Sequence, residues 1–253
     1  MDLATDLLDH PESSAPAAQK TAPASAEVPI AVVQPAPIPT LPPELLYAIA
    51  EDDVDATARF IALGAPVRAR NAHGQCALAC AASHGYSRIV RLLLDAGADA
   101  NGLGVNDHPL LTLAAMHGHA EVVRMLLSAG ADPNARRRLT GEAPLLAAAA
   151  YGHTDTVQAL LDGGADVNVR TEAEVETDLF IGPHEVCGET PLHHAAARAP
   201  RDTIDALLAA GADRHARTIL GETPQSWARR ERRDRDIIRV LTIGMGACAG
   251  VIR

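Results

Sequence analysis

The chain has 253 residues, 47% of them hydrophobic and only 2% aromatic, and a formal net charge of −10. That length and apolar content allow a sizeable core, but two Phe, three Tyr and one Trp cannot fill it, so Leu, Ile, Val and Ala must carry the packing. The negative balance argues against a general nucleic-acid binder, which needs cations to displace phosphate counterions. The charge is uneven along the chain: residues 214–253 carry nine Arg against four acids.

Met1-Asp2-Leu3-Ala4-Thr5-Asp6 is acidic where a secretory signal would be basic, and no apolar run follows it. No segment has the roughly 18 consecutive apolar residues that would span a membrane. Cys76, Cys80, Cys187 and Cys248 lack the dense spacing of a disulfide framework. A cytoplasmic location is expected, with export without a classical signal peptide as the alternative. Residues 1–40 hold seven prolines among Ala, Ser, Thr and Glu and are expected to form a disordered tail.

From residue 41 a period sets in, marked by Gly64, Gly97, Gly130, Gly164 and Gly211 at spacings of 33, 33, 34 and 47. Four of these open the phrase Gly-Ala-Asp, and Gly85, Gly118 and Gly152 precede three of them by twelve residues. One unit reads as two helices: Ala143 in the cap position, Pro144 opening a first helix, Gly152 closing it, then Val157, Leu160 and Leu161 on one face of a second. Gly164 closes that helix, and Asp166 and Asn168 favour the tight turn after it. The predicted units are 41–66, 74–99, 107–132, 141–166, 188–213 and 221–242, with a tail over 243–253. Cys76 and Pro109 stand where a capping Thr is wanted, at a cost of about 1 kcal/mol each.

The phrase Thr190-Pro191-Leu192-His193-His194-Ala195 resembles the ankyrin-repeat signature, and degraded forms recur at Cys76–Ala81, Ala143–Ala148 and Thr223–Ala228. The resemblance implies an all-α repeat solenoid of about six helix-turn-helix units joined by hairpin loops, spanning 41–242. It also implies a structural, hydrogen-bonding role for His193. The hairpin after repeat 4 carries an insertion, 171–186, acidic from Glu172 to Asp178 and apolar at Leu179-Phe180-Ile181. Loops of that length are functional or disordered. Phe180 is therefore a candidate partner contact.

In ankyrin proteins the residue before each inter-helix glycine faces the partner groove. Here that row reads Glu51, His84, His117, Tyr151, Arg198 and Arg230, with Met116 beside it. The run Arg136-Arg137-Arg138 is placed at a hairpin tip, and Arg70, Arg136, Arg170 and Arg217 each follow their repeat's glycine by six residues, an electrostatic edge for an acidic partner. His73, Cys76, Cys80 and His84 have N/S ligand types, but Cys76 and Cys80 occupy small-residue packing positions, so no metal and no cofactor is expected. No nucleophile elbow, P-loop or His-Glu-x-x-His is present, so the chain is not expected to be an enzyme. The expected function is a non-catalytic scaffold, a monomer that binds a protein partner and neither nucleic acid nor membrane. The alternative is an inhibitor or immunity-type protein occluding a partner's active site, or a translocated bacterial effector.

Overall fold

The computed structural model describes residues 40–71, 74–137, 141–171 and 188–243. These form twelve α-helices in six pairs: α1 (Pro43–Ala50) with α2 (Val54–Ala62), α3 (Ala77–His84) with α4 (Ser87–Asp95), α5 (Leu110–Met116) with α6 (Ala120–Ser128), α7 (Pro144–Tyr151) with α8 (Thr154–Asp162), α9 (Pro191–Arg198) with α10 (Arg201–Ala209), and α11 (Pro224–Arg230) with α12 (Arg235–Ile243). A short 3-10 turn lies at Val105–Asp107, and the extended backbone among the described residues amounts to two isolated bridges, Arg70 to Cys76 and Leu103 to Pro109. The all-α repeat solenoid agrees with the period of the sequence.

The first helices of successive pairs pack against each other in one layer, and the second helices from α2 to α10 do so in another. Composition explains the division. The first helices are built on small side chains, with Ala81, Ala82, Ala114, Ala115, Ala148, Ala149, Ala195 and Ala196 fully buried, so their backbones approach closely. The second helices are amphipathic and bury apolar residues at helical spacing: Ile89, Val90 and Leu93 on α4, Val123 and Leu126 on α6, Val157 and Leu160 on α8, Ile204 and Leu207 on α10. The N-cap positions of α3 and α5 are Cys76 and Pro109, and neither makes a side-chain cap bond.

Side chains bind each repeat to the next. His119 at the start of α6 lays its ring against Gly85 of the preceding repeat, and its Nε2 sits 3.1 Å from the Ser83 carbonyl. His153 repeats the arrangement against Gly118, with Nε2 3.0 Å from the Met116 carbonyl. These glycines serve two needs, a left-handed backbone that ends the helix and bare space for the imidazole. One repeat earlier, Tyr86 reaches the Ala50 carbonyl at 3.3 Å from the same position. In repeat 5 the position is Pro200, which instead packs on Gly152.

His193, fully buried, ties repeat 5 to repeat 6. Its Nδ1 accepts from the Thr190 backbone N–H at 3.2 Å and lies 2.9 Å from the Thr190 hydroxyl, while Nε2 donates to the Glu222 carbonyl at 3.2 Å. That set of bonds requires the neutral ring. Burial pushes its pKa down to about 4, outweighing the carbonyl bond that favours the charged form.

Two outcomes follow for stability. Gly118→Ala and Gly130→Ala both place a side chain in the left-handed region, but an added Cβ at Gly118 meets the His153 ring at 2.7 Å whereas nothing lies within 4 Å at Gly130. Urea unfolding is expected to show Gly118→Ala less stable than Gly130→Ala by about 1–3 kcal/mol, the usual cost of overpacking. Because the folded-state pKa of His193 lies below the ordinary imidazole value, its contribution is complete above about pH 6.5 and is lost as the pH falls towards 4, at about 1.4 kcal/mol per unit. Urea midpoints measured across that range should fall in the wild type and show a shallower slope in His193→Gln.

Candidate functional site

The row before each inter-helix turn is defined by backbone conformation. Gly85, Gly118 and Gly152 take positive φ there, as do Asp52 in repeat 1 and Arg232 in repeat 6, at φ 54 each. These place Glu51, His84, His117, Tyr151 and Glu231 in the row, and Arg198, the last residue of α9, holds the place in repeat 5, where Ala199 keeps a negative φ; all six are exposed. Arg230, expected in the last place from the sequence, is one residue short of it. Its guanidinium instead pairs with Glu222 at 2.9 Å and lies 4.8 Å over the Trp227 ring, so it braces the last repeat.

Rings dominate the middle of the row. His84 stacks on Tyr86 at 5.4 Å between centroids, His117 on His119 at 6.0 Å, and Tyr151 on His153 at 6.2 Å, with interplanar angles of 15°, 28° and 20°. In each pair the first ring is exposed and the second is the partly buried residue that opens the following helix. The staples thus prop the row: the ring that fastens one repeat to its predecessor also supports the ring facing solvent. Tyr151 is 51% exposed, a large side chain left open in a helix otherwise buried in the stack. His84 has one ring nitrogen 2.8 Å from the Cys80 carbonyl, which fixes its orientation. Desolvation holds the His117 pKa below the ordinary imidazole value, and His119, His84 and His153 push the same way. Met116 is half-buried beside the row, and its carbonyl receives the His153 bond.

The arginine edge has a structural duty that sequence spacing did not reveal. Arg70 Nη1 donates to the Leu103 carbonyl at 2.8 Å, Arg136 Nη1 to the Arg170 carbonyl at 3.0 Å, and Arg170 Nη1 to the Arg217 carbonyl at 2.9 Å. Each guanidinium thus reaches the same position of the next hairpin while remaining exposed. Sequence numbers hold the signal in hindsight, since donor and acceptor are one repeat apart.

Arg137, expected at a hairpin tip, is a correction. It is 6% exposed, its Nε donates to the Asn106 carbonyl at 3.2 Å, and its Nη1 lies 3.7 Å from the fully buried Glu142 carboxylate. The hairpin brings the Arg137 N–H to the Glu142 carbonyl at 3.0 Å, which turns the side chain inward while its neighbour Arg136 points out. An equivalent carboxylate in repeat 5, Glu189, is fully buried 3.0 Å from His194 Nε2. Burial pushes the Glu189 carboxyl above its ordinary range, and His194 draws it back. Arg138 and Phe180 lie outside the described residues.

Cys76 and Cys80 pack within the stack, and burial raises the pKa of both thiols. Buried thiols of that kind are poor nucleophiles and poor ligands. No group of three His, Cys, Asp or Glu among the described residues is placed to hold a metal ion, and His73 lies outside them. No described helix is long and apolar enough to cross a membrane.

Comparison with known families agrees with this geometry. Residues 45–137 and 104–171 match a model of ankyrin repeats in three copies, and residues 145–208 match a model of ankyrin repeats in many copies. No curated protein matches the chain. The matched segments run through the first five helix pairs and include the whole row from Glu51 to Arg198, so the chain belongs to the ankyrin-repeat family.

Proposed function

We propose that this chain is a non-catalytic scaffold that holds one protein partner along the row His84, His117, Tyr151 and Arg198, with Met116 at its side and Arg136 on the hairpin edge. Ankyrin repeats are in general protein–protein interaction modules. The observation that carries the reading here is the run of three ring pairs over successive repeats, each with its outer ring exposed and its inner ring fastened to backbone. A rigid aromatic surface loses little conformational entropy on binding, and aromatic and arginine side chains supply most interface anchors.

Affinity capture with the full chain as bait, compared with Tyr151→Ala and Arg198→Glu, tests this. A protein retained by the wild type should be lost from both variants, with binding weakened at least about tenfold, as for interface anchors. Melting temperatures should move little, because both side chains are exposed. Equal capture by all three proteins would refute the assignment of the row.

A further inference from the structure

Two rows of equivalent positions face outward on successive repeats, and their chemistry departs from that of the chain. Between Glu51 and Glu231 the inter-helix row holds His84, His117, Tyr151 and Arg198. The hairpin row, six residues after each repeat glycine, holds Arg70, Leu103, Arg136, Arg170 and Arg217. Neither row has a carboxylate in repeats 2 to 5, although the chain carries 32 acids against 22 Lys and Arg. The guanidiniums of Arg70, Arg136 and Arg170 each donate to a backbone carbonyl of the next hairpin, which fixes their positions. Acids are therefore kept out of the two rows that a partner would meet.

The imidazoles of the row give it a second property. His is the side chain whose ordinary titration falls between pH 5 and 8. Around His117 the electrostatic neighbours are three more imidazoles, His119, His84 and His153, so no carboxylate stabilises its charged form, and the Tyr151 phenol is the next group along the row. Around His84 stand the Tyr86 ring, the Ser83 hydroxyl at 3.2 Å and the Cys80 carbonyl; the nearest acid in the row is Glu51 of the preceding repeat. At the starts of the supporting helices stand Arg88 on α4, Glu121 on α6, Asp155 on α8 and Asp202 on α10, all exposed. A partner carboxylate would supply the counter-charge that the row lacks.

Resting on the partner-binding role of the row, we propose that it takes an acidic peptide segment and holds it more tightly as the pH falls, with His117 acquiring the charge. Protonation adds a second cation to the row beside the fixed charge of Arg198, and the flat rings provide contact area at either pH. Linkage sets the scale: each proton taken up on binding strengthens it by up to about tenfold per pH unit.

The test uses the full chain and a fluorescein-labelled peptide of alternating Glu and Gly, with the Lys–Gly peptide and a single-stranded DNA of equal length as controls. Anisotropy should show the acidic peptide binding at about pH 7.5 and at least about tenfold more tightly at about pH 5.5, within the imidazole titration range. The variant His117→Gln should bind the acidic peptide with the same affinity at the two pH values, and the His117 imidazole resonances of the wild type should show its pKa rising when the peptide is bound. Absence of acidic-peptide binding at both pH values overturns the proposal, as does equal affinity at both. Acid enhancement surviving in His117→Gln, or tighter binding of the DNA, overturns it too. These failures leave the role of the row itself to the Tyr151→Ala capture, which is read at one pH and with the retained protein.

Discussion

An asparagine at the turn of the second, third and fourth hairpins sets the spacing on which the middle of the stack rests, and Arg68 reaches the Gly97 carbonyl from the same place in the first. Asn101 donates from Nδ2 to the Gly130 carbonyl at 2.9 Å and accepts from the Asp132 N–H at 2.8 Å, so one side chain grips the next repeat by two bonds. Asn134 does the same to Gly164 and Asp166, and Asn168 to Gly211 and Asp213. Within each hairpin the aspartate carboxylate closes the turn on the asparagine N–H at 2.9 Å. A single repeat cannot bury its apolar face by itself, and stability in such an array is the sum of units and of the interfaces between them. The asparagine ladder fixes those interfaces in register at the hairpin end. The histidine staples fix them at the inter-helix end, and between the two the alanine-rich helices have one way to nest.

Register of this kind makes rows. Once equivalent residues recur at a fixed translation, any position not consumed by the ladder, the staples or the core becomes a line on the surface. The arginine edge and the ring row are two such lines with different obligations. The arginines are committed to neighbouring carbonyls and would be present with or without a partner. The outer rings of His84, His117 and Tyr151 rest on rings that the stack already requires, so the fold supplies their support, and their identity is free to suit whatever they meet. This division separates residues that build the surface from residues that give it an address.

The same logic explains what could be read from the sequence. The helix pairs and their order were legible because glycine, proline and the Gly-Ala-Asp phrase recur with a period that few other folds share. The row was legible from position alone in repeats 2 to 5. It failed in repeat 6, where the turn has no glycine: Arg232 takes the left-handed conformation, and counting back from it gives Glu231 in place of Arg230. Arg136 and Arg137 are adjacent and chemically identical, yet one faces solvent and the other is buried against Glu142, because the hairpin alternates sides and composition does not record which. The histidine staples were hidden for another reason. His119 and His153 follow a glycine in the sequence, but the contact they make is with the glycine of the preceding repeat, visible only once the units are stacked.

The base of the long hairpin between repeats 4 and 5 is closed by three bonds. The Thr171 N–H donates to the Glu189 carbonyl at 3.0 Å, the Gly188 N–H to the Thr171 carbonyl at 3.2 Å, and the Glu189 N–H to the Thr171 hydroxyl at 3.0 Å. The ladder residues of that junction, Asn168 and Arg170, come before the base, and their acceptors at Gly211 and Arg217 come well after it. These bonds between repeats 4 and 5 join residues on either side of the closed base. Between ends fixed in this way, doubling the length of a loop costs only about 0.6 kcal/mol of closure entropy. The junction thus gives the array a socket, a closed base at which chain length can change at little entropic cost.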